Sequence, residues 1–454
     1  MQGLPVRRIA SVFVGLALIL VLGVAAAWPA RGAESTRKPV TITFWNWWDG
    51  DREAYMKAVI DAFEKQYPWI NVESKIQGWD NLSAKIISAF AAGIAPEVMM
   101  APRAEVLALA DMGAIIPITE YVKRDKLDLS IFYPAEVNAF RYEGELWTLP
   151  LPTVTANDDF YFYNKELFEQ AGLNPERPPE TWSSFMAAGQ KLTRFAPDGR
   201  ITQLFSRMSP HMYLDFLFSN DGDIVTSDLR RQAIDSKESQ ETLQFMYDYA
   251  AKINGGAKQT EFLSRNNPRT GMAFMNGKEV VLFENISMMN LIIDEMKKGT
   301  MFDWGIGLIP YNDRNPRAKS TGVAARGFGW GYVIPKGLPK EKEEAAWLWV
   351  KFLTTEGTGI FSFLQGRPSP VRKFNENPEY RKLNPNWDKI LRAMETDKPL
   401  PALPIIRQLT DAIINGLYGV TTASVSPTTA INNIANNVQN QLDKYWAERA
   451  RKGR

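Results

Sequence analysis

Residues 40–100 decide the fold class, and they read VTITFWNWWDGDREAYMKAVIDAFEKQYPWINVESKIQGWDNLSAKIISAFAAGIAPEVMM. Apolar and β-branched side chains alternate in its strand-like parts, while apolar residues recur every three or four positions in its helix-like parts. Strands are predicted at 40–45, 71–76 and 98–100, and helices at 51–67 and 80–92. This alternation of strands and helices predicts an open, largely parallel α/β sheet.

Short signals mark the ends of these elements and of later ones. Asp51, Asp80 and Thr181 are the predicted N-caps of three helices, and Pro68 and Gly93 end the first two. The alternation of predicted strands and helices ends at residues 144–152, which finish in Pro-Leu-Pro. Beyond the break, strands are predicted at 160–163, 304–310 and 327–334, and helices mainly at 236–298, 342–353 and 431–447.

Composition excludes several kinds of function. The chain has no cysteine and one histidine, His211, so disulfides, thiolate chemistry and most His-based metal sites lack their residues. The formal charge of +2 falls to 0 without Arg7 and Arg8, and to −1 if Arg31 is also removed, so the composition gives no sign of a basic surface for nucleic acid. The aromatic share is 12%, with 14 tryptophans, and such rings can stack on sugars.

The first residues have the pattern of a secretory signal peptide. Arg7 and Arg8 precede an uncharged apolar run from Ile9 to Ala27, and small residues suited to cleavage follow within 1–33. The alternative is a retained N-terminal anchor, because the run is nearly long enough to span a bilayer. Either way the protein is expected outside the inner membrane, in the periplasm.

Several motifs in the same order resemble the family 1 extracellular solute-binding proteins of bacterial ABC importers, which include maltose-binding protein. They are FEKQYP at 63–68, AAGIAPEV at 91–98, GELWTLP at 144–150, YNKELF at 163–168, AGL at 171–173, PPETW at 178–182 and GRPSP at 366–370. The motif at 91–98 carries Glu97 where the family usually has Asp.

The resemblance implies a two-lobed periplasmic binding protein fold (type II), with open mixed sheets, flanking helices and a ligand cleft between the lobes. It implies an N-lobe of 38–152 and 322–365 and a C-lobe of 153–321 and 366–450. The implied function is transport, in which a monomer binds a sugar or oligosaccharide, closes on it by a hinge motion and delivers it to the permease. The resemblance implies no cofactor and no catalysis.

Candidate ligand contacts in the N-lobe follow the ends of predicted strands, where open α/β sheets bind ligands. Trp47 and Trp48 cannot both face the core if the chain is extended there, so at least one is expected at the ligand. The neighbouring polar candidates are Asn46 and Asp49, although Asp49 also suits a turn. Trp330 is the strongest aromatic candidate, since glycines on both sides allow close backbone approach.

Other candidates rest on turns and on the resemblance, and each has a structural alternative. Trp79 suits stacking, Asp80 is both an N-cap and a contact candidate, and Arg103 and Glu105 could equally form a solvated helix start. The resemblance adds positions near the crossovers and in the C-lobe: Asn157, Asp158, Tyr213, Glu284, Asn285 and Arg367. The tryptophan that many relatives have beside Glu284 and Asn285 is missing here.

Two other function classes stay open from the residues alone. Glu284, Asp158 and Asp159 could supply the paired acids of a secreted glycosidase or lyase, but no catalytic motif surrounds them. A non-sugar solute such as glycerol phosphate, a polyamine or a peptide would use the same fold. The surplus of aromatic over arginine candidates favours a neutral carbohydrate.

Overall fold

The computed structural model describes residues 37–152, 160–266, 271–284, 286, 288–324 and 329–453. The predicted signal peptide therefore lies outside the described residues. Among the residues that the structure does describe, no helix combines the length and the apolar character needed to span a bilayer.

Thirteen strands lie in the described part of the chain. They are β1 Val40–Asn46, β2 Ile70–Ile76, β3 Val98–Pro102, β4 Arg141–Tyr142, β5 Glu145–Leu146, β6 Phe160–Asn164, β7 Arg194–Phe195, β8 Ile201–Gln203, β9 Val281–Leu282, β10 Trp304–Leu308, β11 Val323–Ala324, β12 Trp330–Val333 and β13 Lys398–Pro399.

The α-helices of the described part alternate with these strands and dominate its C-terminal third. They are α1 Asp51–Gln66, α2 Leu82–Ala91, α3 Arg103–Asp111, α4 Thr119–Arg124, α5 Pro134–Asn138, α6 Lys165–Gln170, α7 Trp182–Leu192, α8 Tyr213–Ser219, α9 Lys237–Lys252, α10 Ala257–Asn266, α11 Met272–Met275, α12 Met288–Lys298, α13 Lys340–Thr355, α14 Gly357–Gln365, α15 Arg372–Asn375, α16 Pro378–Leu383, α17 Trp387–Met394, α18 Ile406–Gly416, α19 Tyr418–Thr421 and α20 Pro427–Arg451.

The first sheet has the strand order β12-β3-β1-β2. Strands β1, β2 and β3 are parallel, with Phe44 opposite Val98, and β12 joins antiparallel with Trp330 opposite Pro102. The carboxyl ends of β1 and β3 and the start of β12 therefore meet at one edge. The prediction of an open, largely parallel sheet from residues 40–100 is confirmed, and the sheet also recruits a strand from far along the chain.

The second sheet has the order β10-β6-β9, and both pairings are antiparallel. All five residues of β6 are buried, as the aromatic run Phe160–Tyr163 predicts. Gly305 and Gly307 lie opposite Tyr163 and Tyr161, and a Cβ atom at either glycine would overlap the facing tyrosine ring. The glycines in β10 are thus required by the close packing of these two rings.

Helices α1, α13 and α14 cover the first sheet. Trp349 of α13 packs edge-on against Phe44 of β1 with ring centroids 5.6 Å apart, and against Phe63 of α1 at 5.0 Å. All three side chains are fully buried. Truncating such a ring costs about 3–5 kcal/mol of stability, so this aromatic cluster holds α1 and α13 on the sheet.

Two of the three predicted N-caps are wrong. Helix α1 begins at Asp51, and its cap is Gly50, whose φ of 60° suits glycine, so the carboxylate of Asp51 lies in the first turn. Helix α2 begins at Leu82, and its cap is Asn81 in the left-handed conformation, without a side-chain capping bond. The prediction for Thr181 is confirmed, because its hydroxyl accepts a hydrogen bond from the Ser184 amide in a capping box.

Candidate functional site

Three tryptophans gather at the carboxyl edge of the first sheet. The ring of Trp330, at the start of β12, lies 6.1 Å from that of Trp47 and 5.8 Å from that of Trp79, measured between centroids. Trp47 is fully buried and Trp330 nearly so, whereas Trp79 is 44% exposed. Trp79 meets Trp330 edge-on, with an interplanar angle of 83°. The cluster thus presents one indole to solvent and supports it with two buried ones.

Trp47 and Trp48 are both buried, although two neighbouring side chains of an extended chain could not both face the core. Strand β1 ends at Asn46, so the two side chains leave a loop instead of alternating across a sheet. Trp48 stacks on Phe361 of α14, with centroids 4.6 Å apart and planes 26° apart. The indole N–H of Trp47 is buried and has no acceptor among the described residues.

The polar neighbours of these rings have different roles. Asn46 is buried, and its side chain donates to the Ser74 hydroxyl at 2.7 Å and accepts from the Trp48 amide at 3.0 Å. These bonds hold the loop after β1 against β2. Asp49 is exposed and lies 3.8 Å from Arg52, and Asp80 is also exposed, so both carboxylates are accessible from solvent.

The glycines that flank Trp330 were expected to open space at the ligand. A Cβ atom on Gly331 would instead overlap the side chain of Thr148, because residues 148–150 run alongside β12. The Thr148 hydroxyl accepts from the Tyr332 amide at 2.7 Å. The close approach at Gly331 is therefore made by the chain itself.

Arg103 is buried at the start of α3, directly after β3. Its guanidinium donates to three carbonyl oxygens, those of Ala139 at 2.5 Å, Leu400 at 2.7 Å and Pro401 at 3.2 Å, while Nη1 is buried without a partner among the described residues. Burial lowers the pKa of Arg103 to about 10. The alternative of a solvated helix start is wrong for Arg103, which ties β3 to a distant segment, and its contact with ligand stays a prediction.

Glu105, one turn into α3, is also buried. Its carboxylate accepts two hydrogen bonds from Arg407 of α18, each 2.9 Å long, and one from the Ser83 hydroxyl at 2.5 Å. A solvated position is therefore wrong for Glu105 as well. Together, Arg103 and Glu105 join the first sheet to residues 400–407.

Arg52, which the sequence analysis did not include among the candidates, lies near Arg367. Helix α14 runs antiparallel to α1: a Cβ on Gly357 would meet Val59, and Phe361, one turn later, packs on Tyr55 and Trp48. Arg367, just beyond α14, thus lies near the start of α1.

Arg367 is nearly fully buried. Burial, and secondarily the neighbouring charge of Arg52, lower the pKa of Arg367 to about 9. Burial likewise lowers the pKa of Arg52, with Asp49 opposing the shift. The guanidinium groups of Arg367 and Arg52 therefore lie near each other at the N-terminal end of α1, where Asp49 also lies 3.8 Å from Arg52.

The candidates in the second half of the chain are less accessible or lie outside the described residues. Tyr213 is buried, and its hydroxyl lies 2.6 Å from that of Ser239; burial raises the pKa of Tyr213. Glu284 follows β9 and is partly exposed. Asn157, Asp158 and Asn285 lie outside the described residues. Tyr213 therefore packs in the interior of the helices around the second sheet.

A groove beside Asn46 and Trp48 runs between α1 and the edge strand β2, with a volume of about 610 Å³. Asn46, Trp48 and Gly50 line one end of it, and charged residues of α1 line the other. Trp79 and Trp330 do not line it. Within the described residues no three His, Asp or Glu side chains gather closely enough to hold a metal ion.

Open α/β sheets with an aromatic cluster at the carboxyl ends of their strands form the architecture of a small-molecule binding protein. Residues 48–360 match the model of the family "Bacterial extracellular solute-binding protein". Because the match covers more than half of the chain, the chain belongs to this family. The family resemblance found in the sequence is confirmed.

Individual relatives agree with this assignment. The sn-glycerol-3-phosphate-binding periplasmic protein of Yersinia pestis is 22% identical over 410 residues, which cover 86% of this chain and 90% of that protein. An ABC substrate-binding protein from Listeria monocytogenes in complex with cycloalternan has a TM-score of 0.72 at 21% identity. A solute-binding protein from Thermotoga lettingae bound to α-D-tagatose has a TM-score of 0.71 at 24% identity.

The two solved structures each cover 89% of this chain and are themselves covered completely. The fold is therefore the two-lobed α/β fold of type II periplasmic binding proteins, as predicted.

Proposed function

We propose that this chain is the sugar-binding subunit of an ABC importer, which holds a carbohydrate between its two lobes and delivers it to the transmembrane permease unchanged. The observation that carries the proposal is the aromatic cluster at the sheet edge, where Trp79 leaves 44% of its surface to solvent while resting on Trp330. A flat indole face of this kind covers the C–H surface of a sugar ring without requiring charge.

The relatives with solved ligands support a carbohydrate. The Listeria protein holds cycloalternan and the Thermotoga protein holds tagatose, so the shared fold accommodates ligands from a monosaccharide to a cyclic oligosaccharide. The proposed lobes are 38–152 with 322–365, and 153–321 with 366–450. They are joined near 150–155, 318–326 and 365–370, and hinge closure about these crossovers brings the contacts of both lobes onto the ligand.

The cell-biological part of the proposal follows from the family. The family is extracellular, and the signal-like residues 1–33 support export to the periplasm, where the mature protein acts as a monomer. The proposal includes no catalysis.

A second candidate ligand is sn-glycerol-3-phosphate or a similar phosphate ester. The observation in its favour is the pair of guanidinium groups of Arg367 and Arg52 near the start of α1. The Yersinia relative is named for that ligand. We rank it second because the exposed aromatic surface suits a neutral ring better than a short anion.

A thermal-shift screen of the mature protein separates these candidates, since only a ligand that binds the native state raises the melting temperature. The panel contains neutral mono- and oligosaccharides, sn-glycerol-3-phosphate and inorganic phosphate. We expect a neutral sugar to give the largest shift and to be recovered intact by mass spectrometry. Stabilisation by the phosphate ester alone would replace the carbohydrate proposal, and a cleaved sugar would contradict the transport role.

A further inference from the structure

The carboxylate of Glu136 is largely buried next to the candidate site and has no bonding partner among the residues that the structure describes. Glu136 lies in the middle of α5 and keeps only 8% of its surface exposed. No hydrogen bond or ion pair joins its carboxylate to any residue that the structure describes, and its oxygens are not among the fully enclosed unpartnered atoms, so they keep some contact with solvent. Burial raises the pKa of Glu136 to about 7, and no charged neighbour contributes to that shift. A mostly buried acid normally has a protein donor, whereas the donors available to this carboxylate, as far as the described residues show, come from whatever occupies the solvent beside it.

The cations on the elements around α5 bond to other groups. Strand β13 packs against α5, but its Lys398 donates to Asp223 at 2.8 Å. Arg372 lies over the Tyr133 ring at 4.3 Å and bonds to Glu395. The guanidinium of Arg103 points to main-chain carbonyls, including that of Ala139 at the end of α5. Within the described part of the chain, the Glu136 carboxylate therefore has no cationic partner.

Helix α5 lies at the boundary between the two proposed lobes. On one side α5 meets the carboxyl edge of the first sheet through Arg103, which directly follows β3. The guanidinium of Arg103 donates to the carbonyl of Ala139 at the end of α5. The amide of Arg103 donates to the carbonyl of Gly329, beside Trp330. On the other side, the Tyr133 amide donates to Pro370 at 3.1 Å. Glu136 is thus held between the aromatic edge and the crossover at 365–370.

We propose that Glu136 is a ligand-contacting residue of the interlobe cleft, whose carboxylate accepts hydrogen bonds from hydroxyl groups of the bound carbohydrate. This inference rests on the proposed function and deepens it. A sugar presents neighbouring hydroxyls as donors, and a carboxylate with two oxygens can accept from both. The same carboxylate repels a phosphate or carboxylate group placed there, so it selects a polyhydroxylated, uncharged portion of the ligand.

The test uses isothermal titration of the mature protein with the neutral sugar that gives the largest shift in the panel. Glu136→Gln keeps the shape and removes the charge, and we expect Kd to rise at least tenfold, the loss of one charge-assisted hydrogen bond. Glu136→Asp keeps the charge, but its side chain is one methylene shorter and places the carboxylate further from the ligand, so Kd should also rise. The exposed Glu120→Gln, on α4, is the control and should bind as the wild type does.

The outcomes distinguish this inference from the proposed function. If the wild type binds the sugar and folded Glu136→Gln binds within twofold of it, the role of Glu136 is overturned while the sugar-binding function stands. Should Glu136→Gln fail to fold, a wild-type affinity for Glu136→Asp would overturn the role of Glu136 equally. If the wild type binds no neutral sugar, both are overturned.

Discussion

Replacing Trp79 with alanine removes the most exposed ring of the aromatic cluster. The side chain is 44% exposed, and a large aromatic side chain buries up to about 250 Å², so a ligand can cover on the order of 110 Å². At about 25 cal/mol per Å² this surface contributes up to about 2.7 kcal/mol, and about half of that if the ligand covers one face. We therefore expect Trp79→Ala to raise Kd for the sugar roughly tenfold to a hundredfold, as measured by isothermal titration.

The matched control is Phe195→Ala. Phe195 lies on β7, is 45% exposed and belongs to no part of the candidate site. Both variants should lower the melting temperature by similar amounts, because the two rings are buried to nearly the same extent. If Trp79→Ala binds within twofold of Phe195→Ala, Trp79 is not a stacking surface for the ligand and the reasoning from its exposure is refuted.

Three further variants test other parts of the structure. Burial raises the pKa of Glu136, so the neutral side chain is tolerated at acid pH and the folded state loses stability as the pH rises towards 7. In chemical unfolding, the unfolding free energy of Glu136→Gln should equal that of the wild type near pH 4. At pH 8 it should be higher than that of the wild type by roughly 3 kcal/mol. Equal stability at both pH values would contradict this burial. Trp330→Ala should lower the unfolding free energy by about 3–5 kcal/mol, because the ring is packed between two others, and a loss below 1 kcal/mol would show that the packing is wrong. Arg407→Ala leaves the buried carboxylate of Glu105 without its cation, so the unfolding free energy in urea should fall by about 2–3 kcal/mol. The expected loss is at the low end for a buried pair because Arg407 is one-third exposed. An unchanged unfolding midpoint would contradict the ion pair.

The strands of the first sheet could be predicted because their periodicity is local. Residues 40–45 and 98–100 carry their own apolar pattern, and the structure confirms both within one or two residues. The glycine-spaced run at 327–334 likewise contains β12. The position of Asn81 as the cap of α2 could not be predicted, because its left-handed backbone depends on how the loop after β2 packs.

The candidate site was less predictable because its contacts are long-range. The sequence pattern at Arg103 and Glu105 is that of a helix start, and nothing near them points to Leu400 and Arg407, partners that lie 297 and 302 residues away. The expectation for Trp47 and Trp48 assumed an extended chain, whereas both residues lie in the loop that follows β1. Glu136 was missed because a single acid between Ala135 and Val137 looks like a solvated helix position. Only the packing of α5 reveals its burial.

The proposed ligand is a neutral carbohydrate, and the affinity of the mature protein measured at two ionic strengths distinguishes it from a charged one. Isothermal titration with the best sugar of the panel should give one site per chain and a Kd that changes less than twofold between low salt and about 0.5 M salt, since no charge pair between protein and ligand is screened. The account is contradicted if no neutral sugar binds while sn-glycerol-3-phosphate does, with an affinity that falls steeply as salt is added.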